Sequence, residues 1–439
     1  MSKPSKPQKA ASVNSSNSAP VNGPVPAPAG NSFRFTLVGL IIFSLALIVG
    51  TSVLNFKILA KDHGSKPADP FLVDPKDKSR TIHSGAWGDL IMRDIELERP
   101  AEYLTEEVAI PHAEVWNFNG MNADAVKALL GKNGLTAAQV DLAFAPGTFT
   151  VRTTGTELRP SDAFLLSFGS DVRAKLYPAL AGMGIYLYLD YPYIFPADTV
   201  DSIYRDPRLE ADDVAVLKQF IYPNGNARQL VDYDALLIRI PTAVRRVAVA
   251  KALSRQSALL GGLMVKPDTD IDKIANYWGN IPGVHFTDIR PLLEALKQLP
   301  DGGNLGLYYL LPKFARDRLY TFPLPPQAGE PIMDCHWSTF NFCNDTPDNR
   351  FNDPAFAVAY IQKNYYQIAA PSVYGDILLL MNDKQEIKHS ATYLADDIVF
   401  TKNGNNYRQP WMLMRIPDLL ATYPSMPPMH AVYMRRKVD

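Results

Sequence analysis

Two cysteines and seven histidines supply all the thiol and imidazole chemistry in this 439-residue chain. Cys335 stands in MDCHWSTFNFC, where Asp334 can cap a helix and the thiol falls in its first turn. A thiol at the positive end of a helix is biased toward thiolate, the nucleophilic form. Cys343 follows eight residues later. On one helix the pair would sit about 12 Å apart, beyond disulfide reach. His389 opens HSATYL, which returns after ADD as IVFTKNG, and two apolar runs around so short a polar break predict a β-hairpin. A three-residue turn at 395–397 sets Asn403 across from His389. A two-residue turn sets Lys402 there, and a turn shifted by one position sets Thr401. Any of these registers gives the imidazole a polar neighbour on the adjoining strand.

The elements that position these groups are legible around them. Residues 354–365 carry a helical pattern, and 374–380 (YGDILLL) read as a turn feeding an apolar strand. A helix-starting Asp-Cys, then Gly-Asp before an apolar strand, then His-x-x-x-Tyr-Leu with a hairpin return resembles the NlpC-type cell-wall peptidases. The resemblance covers roughly residues 320–425. It implies a compact papain-like α+β domain with Cys335 as nucleophile and His389 as base. The third polar residue is then Asn403 or Thr401, and Tyr320 is the counterpart of an upstream tyrosine. In such a site the thiolate attacks an amide carbonyl, the imidazole protonates the leaving amine, and backbone N–H groups at the helix start hold the oxyanion. The chain departs from the pattern at His336-Trp337, where the family carries small residues. A metal is not expected, because Cys335 and His336 are adjacent and would point differently on a helix.

Upstream, residues 81–320 read as a helix-rich region without a motif for phosphate, zinc or serine-hydrolase chemistry. Helices are expected at 122–130, from 136 after a Thr136 cap, from 162, over 211–220 and over 242–259, with strands or buried segments at 184–191 and 259–265. Arg245, Arg246, Lys251 and Arg255 form a basic face, read as solvated surface or as a seat for an anionic head group or glycan carboxylate. Asp268, Asp270 and Asp272 alternate, but Lys273 and Gly279 stand where a calcium loop needs Gly and Glu; Asp270 is read as a helix cap.

Residues 1–34 hold no acidic group, and their charges are Lys3, Lys6, Lys9 and Arg34; such a composition predicts a disordered tail. Residues 35–54 (FTLVGLIIFSLALIVGTSVL) are uncharged and long enough to span about 30 Å of hydrocarbon. A membrane helix over 35–56, acting as an uncleaved anchor, is therefore expected, with residues 57–80 as a linker and 321–439 as the hydrolase domain. Arg34 beside the span orients the tail inward, placing the bulk outside the cytoplasmic membrane, in a bacterial periplasm.

The balance of 44 Lys+Arg against 45 Asp+Glu excludes a dedicated nucleic-acid binder. The expected partners are the membrane and peptidoglycan; no cofactor is expected. The expected fold is α+β: a transmembrane helix, a mostly helical middle and a papain-like C-terminal domain. The expected function is a membrane-anchored cysteine hydrolase acting on an amide of cell-wall peptide stems. The alternative is an envelope-anchored scaffold that has lost the chemistry.

Overall fold

The computed structural model describes residues 80–437, except 198, 226, 325–329, 331–332, 405–406 and 424–428. The expected tail, membrane helix and nearly all of the linker lie outside the described residues. Among the described residues no helix is long and apolar enough to cross a membrane.

The expected fold class is corrected. The described chain is a mixed α/β structure in which helices and strands alternate along the whole length, and every paired strand is antiparallel. The middle is not mostly helical: besides the long strands Gly88–Leu97 and Gln256–Val265 it holds several short ones. Trp116–Asn119, Phe149–Arg152, Gly155–Leu158, Tyr193–Pro196 and Ala227–Leu230 have four residues each, too few for an alternating pattern to stand out. The run at 184–191 contains the helical turn Leu187–Asp190 rather than a strand. There Leu187 is exposed while Tyr186, Tyr188 and Leu189 are buried, which is a helical spacing. The helices expected near 123, 137 and 211 are present, with Asn122 and Thr136 as side-chain caps. The one from 162, capped by Ser161, breaks into Asp162–Leu166 and Ser170–Leu180. The one expected over 242–259, capped by Thr242, ends at Ser254, with the strand Gln256–Val265 following. Asp270 caps Ile271–Trp278 as expected.

A four-stranded sheet runs in the order Arg80–Gly85, Gly88–Leu97, Gln256–Val265, Gly303–Gly306. Leu97 pairs with Gln256, so residues 98–255 leave and re-enter between two neighbouring strands. That excursion has its own core, including Trp116, Phe164, Tyr177, Leu217, Tyr222 and Leu253. A second core draws from both sides of position 320: Leu90, Leu263, Trp278 and Phe314 pack in one cluster with Trp337, Phe340, Phe400 and Trp411.

The C-terminal sheet has six strands, in the order Tyr365–Ile368, His430–Arg436, Ile377–Met381, Ile387–Ala395, Ile398–Lys402, Trp411–Arg415. Period-two alternation divides its side chains. Leu378, Leu380, Ala391, Val399 and Met412 pack on one face with Leu419 of the helix Ile416–Thr422. Leu379, Phe400 and Leu413 point the other way, into the core that holds Trp337 and Phe340 of the helix Cys335–Phe340. Gly375, at φ 92°, makes the turn into the central strand. The Asp376 carboxylate then accepts from Ser372 N, Val373 N and the Arg435 guanidinium at 2.7–3.1 Å. The Gly-Asp pair thus ties the strand entry to the last strand.

Candidate active site

Asp334 caps the Cys335 helix as expected, its Oδ1 accepting from Trp337 N at 2.7 Å. The helix spans only six residues, so its dipole contributes little; the charge balance is set by imidazoles. His336 and His389 both act on the Cys335 thiol, by charge and by direct hydrogen bonding. Burial pushes the thiol up, but the two imidazoles outweigh it and hold Cys335 well below the usual thiol range. Burial likewise opposes the charge on His336, yet the Cys335 thiolate, with help from the Asp334 carboxylate, raises it to about 9. Asp334 itself is raised, by burial and then by the Cys335 charge. Cys335 and His336 thus form a thiolate–imidazolium pair.

His389 belongs to the other face of the sheet. It pairs with Leu380, and its ring is fully buried. Nε2 lies 2.9 Å from Thr401 Oγ1, and Nδ1 lies 2.6 Å from the Tyr423 hydroxyl. The hairpin register, Thr392↔Phe400 and Tyr393↔Val399, continued along both strands, sets Asn403 opposite His389. The contact nevertheless goes to Thr401, on the diagonal. Asn403 stands one step behind, its Oδ1 accepting from Thr401 Oγ1 at 3.3 Å while its Nδ2 faces Met414 Sδ. The expected trio Cys335, His389 and Asn403 is thus brought into one neighbourhood, with Thr401 as the direct partner of the ring. Tyr320 is elsewhere: its hydroxyl donates to Leu259 O at 2.6 Å. The tyrosine at the site is Tyr423, whose helix carries no motif.

Ser390, next along the strand, points toward the Cys335 helix. Its Oγ lies 2.9 Å from His336 Nδ1 and donates to Cys335 O at 3.3 Å. Lys402 is also buried near the thiol. Its Nζ donates to Gly404 O at 2.9 Å, and burial pulls it down to about 7, against the upward pull of Cys335 and Asp334. Of these, Ser390 is marked in the sequence only as the neighbour of His389, whereas Lys402 appears as one register partner of His389 and His336 as a departure from the family pattern. Alternation on the strand is the signal that would have set Ser390 apart from His389.

Above the thiol is a cleft of about 330 Å³. It is lined by Asp334, Cys335, His336, Asn403, Gly404 and Tyr423. Asp190, Tyr191, Pro192 and Ile194, from the excursion at 98–255, line it as well. The loop after Asn403 is held against that excursion by Arg408, whose guanidinium lies 4.3 Å from the Tyr188 ring and 4.9 Å from Tyr193.

Cys343 takes no part: it forms no disulfide, and burial raises it to about 12. Three of the four cations of the expected basic face are engaged internally rather than open to an anionic ligand. Arg245 bonds Asp213, Arg246 bonds Val108 O and Ala109 O, and Arg255 bonds Glu98.

Compared with protein-family models, with curated proteins and with solved structures, the chain matches none of them.

Proposed function

We propose that the chain is a cysteine hydrolase that cleaves an amide through an acyl-thioester on Cys335. The observation that carries this reading is a thiol that lines an open cleft and lies within hydrogen-bonding reach of two imidazoles, which pull it below the usual thiol range. A structural cysteine in an apolar core has no use for such surroundings; Cys343, raised by burial, is the internal contrast. The thiolate attacks the carbonyl carbon, the amine leaves with a proton from imidazole, and water releases the acid. His389, supported by Thr401 and Asn403, contributes its charge to the thiolate. The motif order shared with NlpC-type peptidases supports a cell-wall peptide stem as the substrate class. An extracytoplasmic location, the expectation from residues 1–66, suits that substrate.

The test is the alkylation rate of each cysteine against pH in the full-length protein, read by peptide mass. Cys335 should react with iodoacetamide at pH 6, well under the ordinary thiol pKa of about 8.5, while Cys343 stays unlabelled. Cys335→Ala should abolish hydrolysis of peptidoglycan stem peptides with folding retained. An ordinary titration of Cys335 near 8.5 would replace this reading with that of a non-catalytic binding protein.

A further inference from the structure

Of the two imidazoles at Cys335, only one is placed to meet a substrate. His336 lines the cleft, whereas His389 is fully buried beneath Tyr423. Both rings reach the Cys335 thiol, but from different settings: Ser390, which meets His336, projects toward the Cys335 helix, and His389, one residue earlier on the strand, is packed against Tyr423. Each ring nitrogen of His389 already faces a hydroxyl, Thr401 on one side and Tyr423 on the other.

The Ser390 hydroxyl has a single hydrogen, and it is directed at Cys335 O. A protonated His336 donates from Nδ1 to Ser390 Oγ at 2.9 Å, which leaves Nε2–H for the sulfur and for whatever the sulfur attacks. This is the orientation that a general acid–base histidine requires: one nitrogen fixed by a polar partner, the other aimed at the reacting atoms.

Resting on the hydrolase reading, we infer that His336 is the catalytic imidazole of the Cys335 site and Ser390 its positioning residue, with His389 as a buried electrostatic support. Cys335 Sγ forms the C–S bond as the C–N bond breaks, and His336 Nε2 gives its proton to the departing nitrogen. Nε2 then takes a proton from water as the hydroxide attacks the thioester carbonyl, the C–S bond breaks, and the thiolate returns. The upward shift of His336 to about 9 is consistent with a ring that carries the proton in the resting pair. His389 needs no open nitrogen to pull the thiol down by charge.

The two steps separate with 4-nitrophenyl acetate, whose leaving group needs no proton. The full-length protein is pulsed at pH 9.5, above the ordinary thiol pKa of about 8.5 and with one imidazole still beside the sulfur in each histidine variant, then shifted to pH 7.5, and the mass of acetyl-Cys335 is followed. The wild type should clear the acetyl group quickly. His336→Asn should acetylate fully but hold the acetyl group about 100-fold longer, Ser390→Ala about tenfold longer, and His389→Asn should stay within about tenfold of wild type. Clearance by His336→Asn at the wild-type rate, or trapping in His389→Asn instead, overturns the assignment of His336. So does a wild-type acetyl group no shorter-lived than a simple thioester in the same buffer. Absence of any acetylation at Cys335 in the wild type defeats the hydrolase reading itself, a separate result from failure of the His336 assignment.

Discussion

The Tyr423 hydroxyl stands 2.6 Å from His389 Nδ1 and closes over a ring that has no contact with solvent. Burial holds the phenol far above its ordinary pKa, with the Cys335 charge adding to the shift, so it remains a neutral hydrogen-bonding group at every working pH. Tyr423→Phe strips a buried nitrogen of its partner, which costs about 1–3 kcal/mol. The expected result is a matching fall in unfolding free energy by urea titration. Cys335 should still alkylate at pH 6, because His336 remains. Unchanged stability would mean that the hydroxyl is not the partner of the ring.

Lys402 makes stability depend on pH in a direction unusual for a lysine. Burial brings it to about 7 in the folded chain, from an ordinary value of 10.5. Between those values the unfolded chain holds a proton that the folded chain has released, so stability rises with pH across that window. Below about pH 7 both states are protonated and the cost of the buried charge is fully present. Lys402→Met should therefore be more stable than wild type at pH 6, and the gap should narrow steadily to pH 10 in urea unfolding curves. A gap that widens with pH would reverse the account.

Arg173 and Asp232 are a buried pair within the core of residues 98–255. Arg173 Nε donates to Asp232 Oδ2 at 2.8 Å, and its other nitrogens reach Phe168 O and Leu165 O at 2.6 Å. Arg173→Met leaves a carboxylate and two carbonyls buried without their cation, a loss of about 3–5 kcal/mol. The double variant Arg173→Met, Asp232→Leu should recover a large part of it, since no charge is then stranded. Thermal unfolding of the two proteins checks both statements.

Local signals were read well where chemistry and backbone coincide. Asp334 before Cys335 marked a helix start, and ADD between apolar runs marked a hairpin, because caps and turns act within a few residues. Partners that depend on tertiary approach were not legible. Tyr423 reaches His389 from a helix with no motif, and Thr401 wins over Asn403 because a side chain meets its diagonal neighbour as readily as the one opposite. His336 stands in the sequence only as a departure from the family's small residues, although in three dimensions it lines the cleft. The strands of the middle are hard to see in the sequence for a related reason. Helices there span up to twelve residues and repeat their pattern, whereas four-residue strands pair with partners elsewhere in sequence and leave almost no periodic trace.

The pairing of Leu97 with Gln256 makes residues 98–255 a graft rather than a link. Both ends of the block meet at adjacent ladder positions, so a tight hairpin turn is all that would be needed to rejoin the chain if it were exchanged or removed. The block also supplies the cleft wall of Tyr191, Pro192 and Ile194. Exchanging the block would change the lining of the cleft on that side while leaving Cys335 and its two imidazoles in place.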